Sequence, residues 1–344
     1  TYAMLAKGES EGIFQLESTG MTQVLVGMRP KNLEDIIALI SLYRPGPMDS
    51  IPTYLRNRKD PSHVTYKTPQ MAHIVDVTNG VVIYQEQVMQ ICRELAGFSF
   101  GQADNVRRAM SKKKLKVMEA EREHFVHGCK EPGKECAGCV ANGVPENIAN
   151  EIYDDMISFA SYAFNKSHAA CYAYVAFQTA YLKCHYPHEF MAALLTSVLD
   201  NTSKVIEYTT ECQRLGIKVQ QPDINVSRGG FTADGERIRF GLNAVKSVGR
   251  DLIEAVIKER AERPYSSLYD FCTGLNRRAL ENLVKAGAFD TLEPTRHGML
   301  ESVEGILKSV ETDARQNLDG QMDLFGLMGG GENEKPANDY KVPN

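Results

Sequence analysis

Apolar residues recur at steps of three and four along much of the chain. The clearest case is Leu33, Ile36, Ile37 and Ile40 in LEDIIALISLYRPGPM, which predicts a helix. RPGPM must stop it, because two prolines and a glycine cannot continue a helix. GIFQLES, just before, is predicted as another helical piece between turns. From Ile51 to Gly80 the pattern loosens into a short helix, IPTYLRNRK, and an extended piece, HVTYKTP. GVVIYQEQVMQICRELAGFS then gives a short β-like run into a helix, and further helices are predicted over Arg107 to His127 and Pro145 to Tyr162. The longest helical stretch lies within Ala163 to Leu195. Pro187 ends one helix there and can open the next, leaving roughly nineteen residues, or about 28 Å, of unbroken helix. Ala170, Tyr174, Phe177 and Tyr181 make one stripe on it, suited to a core face.

Composition shifts after Asn201. Residues 203 to 216 form an amphipathic helix closed by Gly216. KVQQPDIN and GFTADGERIRFG then predict extended chain and a hairpin turning at Ala233-Asp234-Gly235. LNAVKSVGRDLIEAVIKER and NRRALENLVKAGAF each show apolar helix, a short glycine turn and more helix or a stop, the pattern of paired helix-hairpin-helix units. Leu242, Val245, Leu252, Ile253, Val256 and Ile257 would pack one unit, and Leu280, Leu283 and Val284 the other. Glycine and charge after Asp319 predict a disordered tail containing QMDLF.

Length, charge and cysteine use narrow the class. A chain of 344 residues with 43% hydrophobic and 24% charged residues has room for two or three globular domains. No apolar run of about eighteen residues occurs, and Thr1 to Ser10 lacks the regions of a signal peptide. The expectation is a soluble cytoplasmic protein with no membrane contact. Eight scattered cysteines fit reduced thiols better than a disulfide scaffold. A net charge of −5 restricts any polyanion contact to a local patch. Thr1 stands inside what reads as a helix, which suggests a segment of something longer.

Four groups carry candidate chemistry. Asn165, Lys166, Ser167 and His168 stand at the mouth of the long helix. There Ser167 as N-cap would leave backbone N–H groups and the positive end of the helix dipole facing an anion. RRAMSKKK places Arg107 and Arg108 with three lysines after a glycine turn; it is either a solvated helix face or a directed phosphate contact. Lys246, Ser247 and Arg250 flank Gly249 in the first hairpin, where backbone N–H groups can meet a DNA phosphate without reading sequence. The second hairpin, with Lys285 and Gly287, serves packing as readily as binding. Finally, Cys129, Cys136 and Cys139 follow His124 and His127. The CxxC pair resembles a zinc half-site that a histidine such as His127 could help complete, against the alternative of free thiols.

The order of motifs is more specific than any one of them. GIFQLES, YRPGPM, YQEQVMQI, RRAMSKKK, FNKSHAACYAYVAFQTAYLK, QPDIN, NRRALENLVKAGAFD and QMDLF, taken in sequence, closely resemble the alpha subunits of bacterial DNA polymerase III, the C-family replicative polymerases. The resemblance runs over nearly the whole chain. It implies a mainly α protein: a multi-helix fingers domain, a small β element, a tandem helix-hairpin-helix domain and a disordered tail. Residues 1–50 would close the palm and begin the fingers, 51–216 would complete the fingers, and 217–240 would form an extended linker and hairpin. Residues 241–292 would hold the paired hairpins, 293–320 a helix and linker, and 321–344 the clamp peptide and tail.

The same resemblance implies site roles. Arg44, Arg107, Arg108 and Asn165 to His168 would line the nucleotide and primer-template side of the fingers, neutralising triphosphate charge. Tyr84, Gln85 and Glu86 lie in a block of the same kind. Gln321 would be the amide anchor, and Leu324 and Phe325 the apolar anchors, of a peptide that binds the sliding clamp. Deoxynucleoside triphosphates, primer-template DNA, the clamp and other replisome subunits are the implied partners. Mg²⁺ would serve the intact enzyme through palm carboxylates; no matching paired-aspartate motif occurs in this stretch, which alone is expected to be inactive. The alternative is a non-enzymatic module for DNA binding and clamp tethering.

Overall fold

The structure, a computed structural model, describes residues 1–112, 114–160, 163–272 and 276–318. The chain divides into two compact units, one spanning Thr1–His185 and the other beginning at Tyr186.

The first unit is helical throughout: α1 (Tyr2–Ala6), α2 (Thr19–Met28), α3 (Leu33–Leu42), α4 (Ile51–Lys59), α5 (Ala72–Val75), α6 (Gln85–Ala96), α7 (Phe100–Ser111), α8 (Leu115–His127), α9 (Glu146–Ala160) and α10 (Lys166–His185). Helix α3 starts with a reciprocal capping box between Asn32 and Asp35, and its residues Asp35–Leu42 are all buried. The same Asp35 carboxylate accepts two hydrogen bonds at 2.6 Å from Arg58 of α4, tying the two helices. GIFQLES is a run of turns rather than a helix; Gln15 takes φ +62°, while Ile13 and Leu16 plug the core. HVTYKTP contains no strand. The predicted helix from Arg107 to His127 is two helices, α7 and α8, with Lys114 N-terminal to the second.

Helix α10 buries a different face from the expected stripe. Ala169, Ala173, Ala176 and Ala180 are fully buried in the cluster that includes α3, whereas Tyr174 and Tyr181 are about half exposed. Alanines let two backbones approach closely, so the small residues face the neighbour and the aromatic rings stay outside. Lys183 extends that stripe; its buried ammonium donates to the Glu11 carbonyl at 2.8 Å and holds the turns before GIFQLES in place. A second cluster, built from α5 to α9 and the Cys139–Val144 segment, completes the unit.

The second unit opens with α11 (Pro187–Ser197), with Pro187 in the first turn as expected, and α12 (Thr202–Arg214). A three-stranded sheet follows, in order β1-β3-β2: β1 (Lys218–Gln220), β2 (Thr232–Asp234) and β3 (Arg237–Arg239). Strand β3 runs parallel to β1 and antiparallel to β2. Asp234 pairs with Arg237, so the hairpin turns at Gly235-Glu236, slightly later than predicted; Gly235 has φ +60°. Then come α13 (Arg250–Glu262), α14 (Leu268–Phe271), α15 (Arg277–Ala286) and α16 (Arg296–Leu318). The residues predicted to pack the paired hairpins do so, with Leu252 and Ile257 only partly buried. LNAVK is not a full helix: it forms a single 3-10 turn at Leu242–Ala244.

Candidate functional site: a helix mouth and an open hairpin

The site in the first unit forms where its two apolar clusters meet. Tyr84 belongs to the cluster around α3 and α10, and Val88, one turn into α6, to the other. An isolated parallel bridge joins Tyr84 to Phe164, with the Gln85 amide donating to the Phe164 carbonyl at 2.9 Å. That bridge sets the YQEQ block beside the FNKSH block. Gln87 makes it rigid: its Oε1 accepts the Ile83 and Tyr84 amides, while its Nε2 donates to Ile74 O and Thr78 Oγ1.

The mouth of α10 is capped by Asn165 rather than Ser167. Asn165 Oδ1 accepts the His168 amide at 2.9 Å, and the exposed Ser167 lies inside the first turn. A carboxylate already sits there. Glu86 accepts the Lys166 amide at 3.1 and 3.2 Å and Asn165 Nδ2 at 3.0 Å, the placement a helix dipole favours. Lys166 Nζ meets Glu34 at 2.9 Å and lies 5.3 Å from the Tyr84 ring. His168 is exposed, and its ring meets Phe164 edge-on and lies tilted against Tyr172. Arg44 lies flat over Phe164, 3.8 Å from the ring centroid, and partial burial lowers its pKa.

Arg107 and Arg108 complete the charge around this mouth. Both bond to Asp104, and Arg107 Nη1 also donates to Gln85 Oε1 at 3.1 Å. The Arg107 hydrogen bond is the chief cause of a lowered Asp104 pKa. Of the predicted site residues, Arg107 and Asn165 line a cavity of about 500 Å³ with Gln85, Glu86, Arg93, Glu94 and Asp104, whereas Arg44, Arg108, Lys166, Ser167 and His168 are not part of its lining. Sequence reasoning missed Arg93 and Asp104. A signal was present: Gln85, Met89 and Arg93 recur every fourth residue on the face of α6 opposite Val88, Ile91 and Leu95.

In the second unit the two hairpins differ. Lys246, Ser247, Gly249 and Arg250 are all exposed; Ser247 takes φ +65°, and the space around Gly249 is open. Gly249 is the N-cap of α13 without a side-chain cap, so that helix offers unpaired N–H groups. Arg250 makes an exposed ion pair with Asp200 at 3.0 Å. The second hairpin is covered. Arg296 donates to the Lys285 carbonyl at 3.1 Å, and a Cβ at Gly287 would collide with the same guanidinium.

Comparison with known proteins finds a match in each of the two units. The model of the bacterial DNA polymerase III alpha subunit finger domain matches residues 1–133, and a helix-hairpin-helix motif matches residues 216–299. DNA polymerase III subunit alpha of Thermus aquaticus is 47% identical over 340 residues, 95% of this chain and 27% of that protein. The Bacillus subtilis subunit is 42% identical over 330 residues, 94% of this chain and 28% of its own length. The chain belongs to the bacterial DNA polymerase III alpha subunit family. The Deinococcus radiodurans subunit aligns with all of the chain at 40% identity, over 26% of its own length. The segment therefore spans little more than a quarter of the alpha subunits it matches.

Within this alpha-subunit segment the structure places the cysteine group in and beside the turn that follows α8. Cys129 and Cys136 face each other across an antiparallel bridge, and the Cys136 thiol points to the His124 carbonyl at 3.5 Å. Cys139 is fully buried, and desolvation pushes its thiol up to about 12. His127 faces Glu146 at 3.8 Å. Among the described residues no group of three or more His, Cys, Asp or Glu side chains is arranged to hold a metal ion, and no helix is long and apolar enough to cross a membrane. Gln321, Leu324 and Phe325, assigned to the clamp peptide, lie outside the described residues.

Proposed function

We propose that the first unit presents the nucleotide-facing side of the polymerase fingers, where Arg44, Arg107, Arg108, Asn165, Lys166, Ser167 and His168 receive the triphosphate of an incoming deoxynucleoside triphosphate. The observation that carries this reading is the cavity at the α10 mouth. It gathers Gln85, Glu86, Arg107 and Asn165 from three separate blocks of sequence around helix N–H groups. Cations already held by carboxylates are preorganised: a phosphate entering the cavity exchanges partners with Glu86 and Asp104 rather than ordering free side chains.

The first hairpin, through Lys246, Ser247, Gly249 and Arg250, holds the primer-template backbone, and Gln321, Leu324 and Phe325 dock on the sliding clamp, linking the segment to the other replisome subunits in the cytoplasm. Nucleotide addition belongs to the intact subunit, with Mg²⁺ on palm carboxylates. The carboxylates of the cavity do not fit that task. Glu86 is bound by Lys166 and Asn165, Glu94 by His73 and Gln90, and Asp104 by two arginines. This segment alone is accordingly inactive. Replacing Arg107 and Arg108 with alanine in the intact enzyme tests the reading. Each charge-assisted contact contributes about 1.5 to 3 kcal/mol, so the apparent nucleotide Michaelis constant rises or turnover falls by tenfold or more; unchanged kinetics reject it.

A further inference from the structure

The small sheet of the second unit has one face with no apolar role. Val219 and Ile238 pair in register and turn toward α11 and α12, where Ile238 is fully buried beside Met191 and Leu195. Side chains alternate across a strand, so Lys218 and Gln220 of β1, Arg237 and Arg239 of β3, and Thr232 and Asp234 of β2 share the opposite face.

Charge on that face is unbalanced. Lys218 and Arg237 are directly opposed on neighbouring strands, and both are exposed. Like charges so placed repel. Neither has a carboxylate within ion-pair distance among the described residues, and the one acid of the face, Asp234, is drawn to Arg239 at 3.3 Å. Arg239 keeps a buried Nε with no hydrogen-bond partner. Arg239, Thr232 and Asp234 also line a cavity of about 810 Å³ whose rim includes Arg228, an exposed arginine with no ion pair among the described residues. Set against Asp234, which lies opposite Arg237 and pairs with Arg239, and Glu189, which lines the same cavity, Lys218, Arg237, Arg239 and Arg228 leave an excess of positive charge that a chain of anions would balance.

We infer that this face binds the phosphate backbone of DNA, extending the contact of the first hairpin. The hairpin fixes the choice of polyanion, and the inference rests on that proposed role for it. Only residues 240–245 separate β3 from Lys246, and the intervening turn is tied to the Arg228 loop by Leu242 N to Arg228 O and Asn243 N to Gly229 O, both at 2.9 Å. Sheet and hairpin are thus joined by a short, tied turn, and on this inference the sheet's cations serve as a second line for a duplex held at Lys246–Arg250. The contact is electrostatic and indifferent to sequence.

The test is titration of the full 344-residue chain with a fluorescent duplex of arbitrary sequence at several salt concentrations. Lys218→Glu removes the repulsion, so its melting temperature rises. Its DNA affinity falls about tenfold, and the slope of log affinity against log salt becomes shallower by about 1 for each phosphate no longer neutralised. Lys218→Gln with Arg237→Gln also removes the repulsion, so it shows a comparable fall in affinity with a smaller gain in stability, since no new attraction is added. Lys246→Gln with Arg250→Gln separates the two readings. Weaker binding in both sets supports both. Weaker binding only in the sheet variants keeps a DNA contact on this face but rejects the hairpin's role and, with it, the claim that the face extends the hairpin's contact. Unchanged affinity in the sheet variants, or no duplex binding by the unaltered chain at low salt, overturns it.

Discussion

The Glu86 carboxylate accepts the Lys166 amide at 3.1 Å and so fills the mouth of α10 with a charge supplied by another helix. On the proposed function, admitting a triphosphate would displace that carboxylate from the backbone amide in exchange for contacts with Arg107, Arg108 and Lys166.

The Asp35–Arg58 pair predicts a stability effect remote from that site. Asp35 is nearly buried and accepts both Arg58 nitrogens as well as the Lys31 and Asn32 amides. Asp35→Asn strands the arginine and is expected to cost about 3 kcal/mol, read as a lower urea midpoint at unchanged slope.

The faces of α10 predict opposite tolerances. Ala176→Leu forces bulk between α10 and its buried neighbours and costs about 1 to 3 kcal/mol. Tyr174→Ser, on the exposed face, shifts stability by less than about 0.5 kcal/mol. Thermal melts of the two variants check this.

This contrast shows what the sequence could and could not reveal. Helix α3 was legible because Leu33, Ile36, Ile37 and Ile40 repeat between a capping asparagine and a Pro-Gly-Pro stop. The buried face of α10 was not, because alanines and aromatics run side by side down that helix, and only the closeness of a partner selects the smaller ones. Arg107 and the helix mouth were visible as charge and capping residues. Their convergence on Gln85 and Glu86 was hidden, since the Tyr84–Phe164 bridge joins positions far apart in the chain. Ser167 was chosen as cap by residue type; Asn165 holds the role because its carbonyl oxygen reaches the His168 amide. The family resemblance supplied the nucleotide roles, which no periodicity carries.

Acid should weaken the second unit partly through Asp290. Hydrogen bonding from Arg296 holds its carboxyl below the ordinary aspartate value. A depressed folded-state pKa gives stability that is present above the unfolded value, about 3.9, and is lost as pH falls through the folded one. Asp290→Asn should therefore flatten the fall in melting temperature between roughly pH 5 and pH 2. An identical pH profile would show that the pair contributes nothing.

For the tail, Leu324→Ala with Phe325→Ala in the intact polymerase should abolish clamp binding and long processive synthesis while leaving short distributive synthesis intact. Equal loss of both activities would assign those residues to folding.

The most direct measurement is equilibrium binding of a deoxynucleoside triphosphate to the intact polymerase carrying Glu86→Gln or Arg107→Ala with Arg108→Ala. Exchange at the α10 mouth predicts tighter binding for Glu86→Gln, because the competing charge is gone, and binding weaker by about tenfold or more for the arginine variant, at 1.4 kcal/mol per factor of ten. Equal affinity in the unaltered enzyme and both variants would contradict a triphosphate site at this helix mouth.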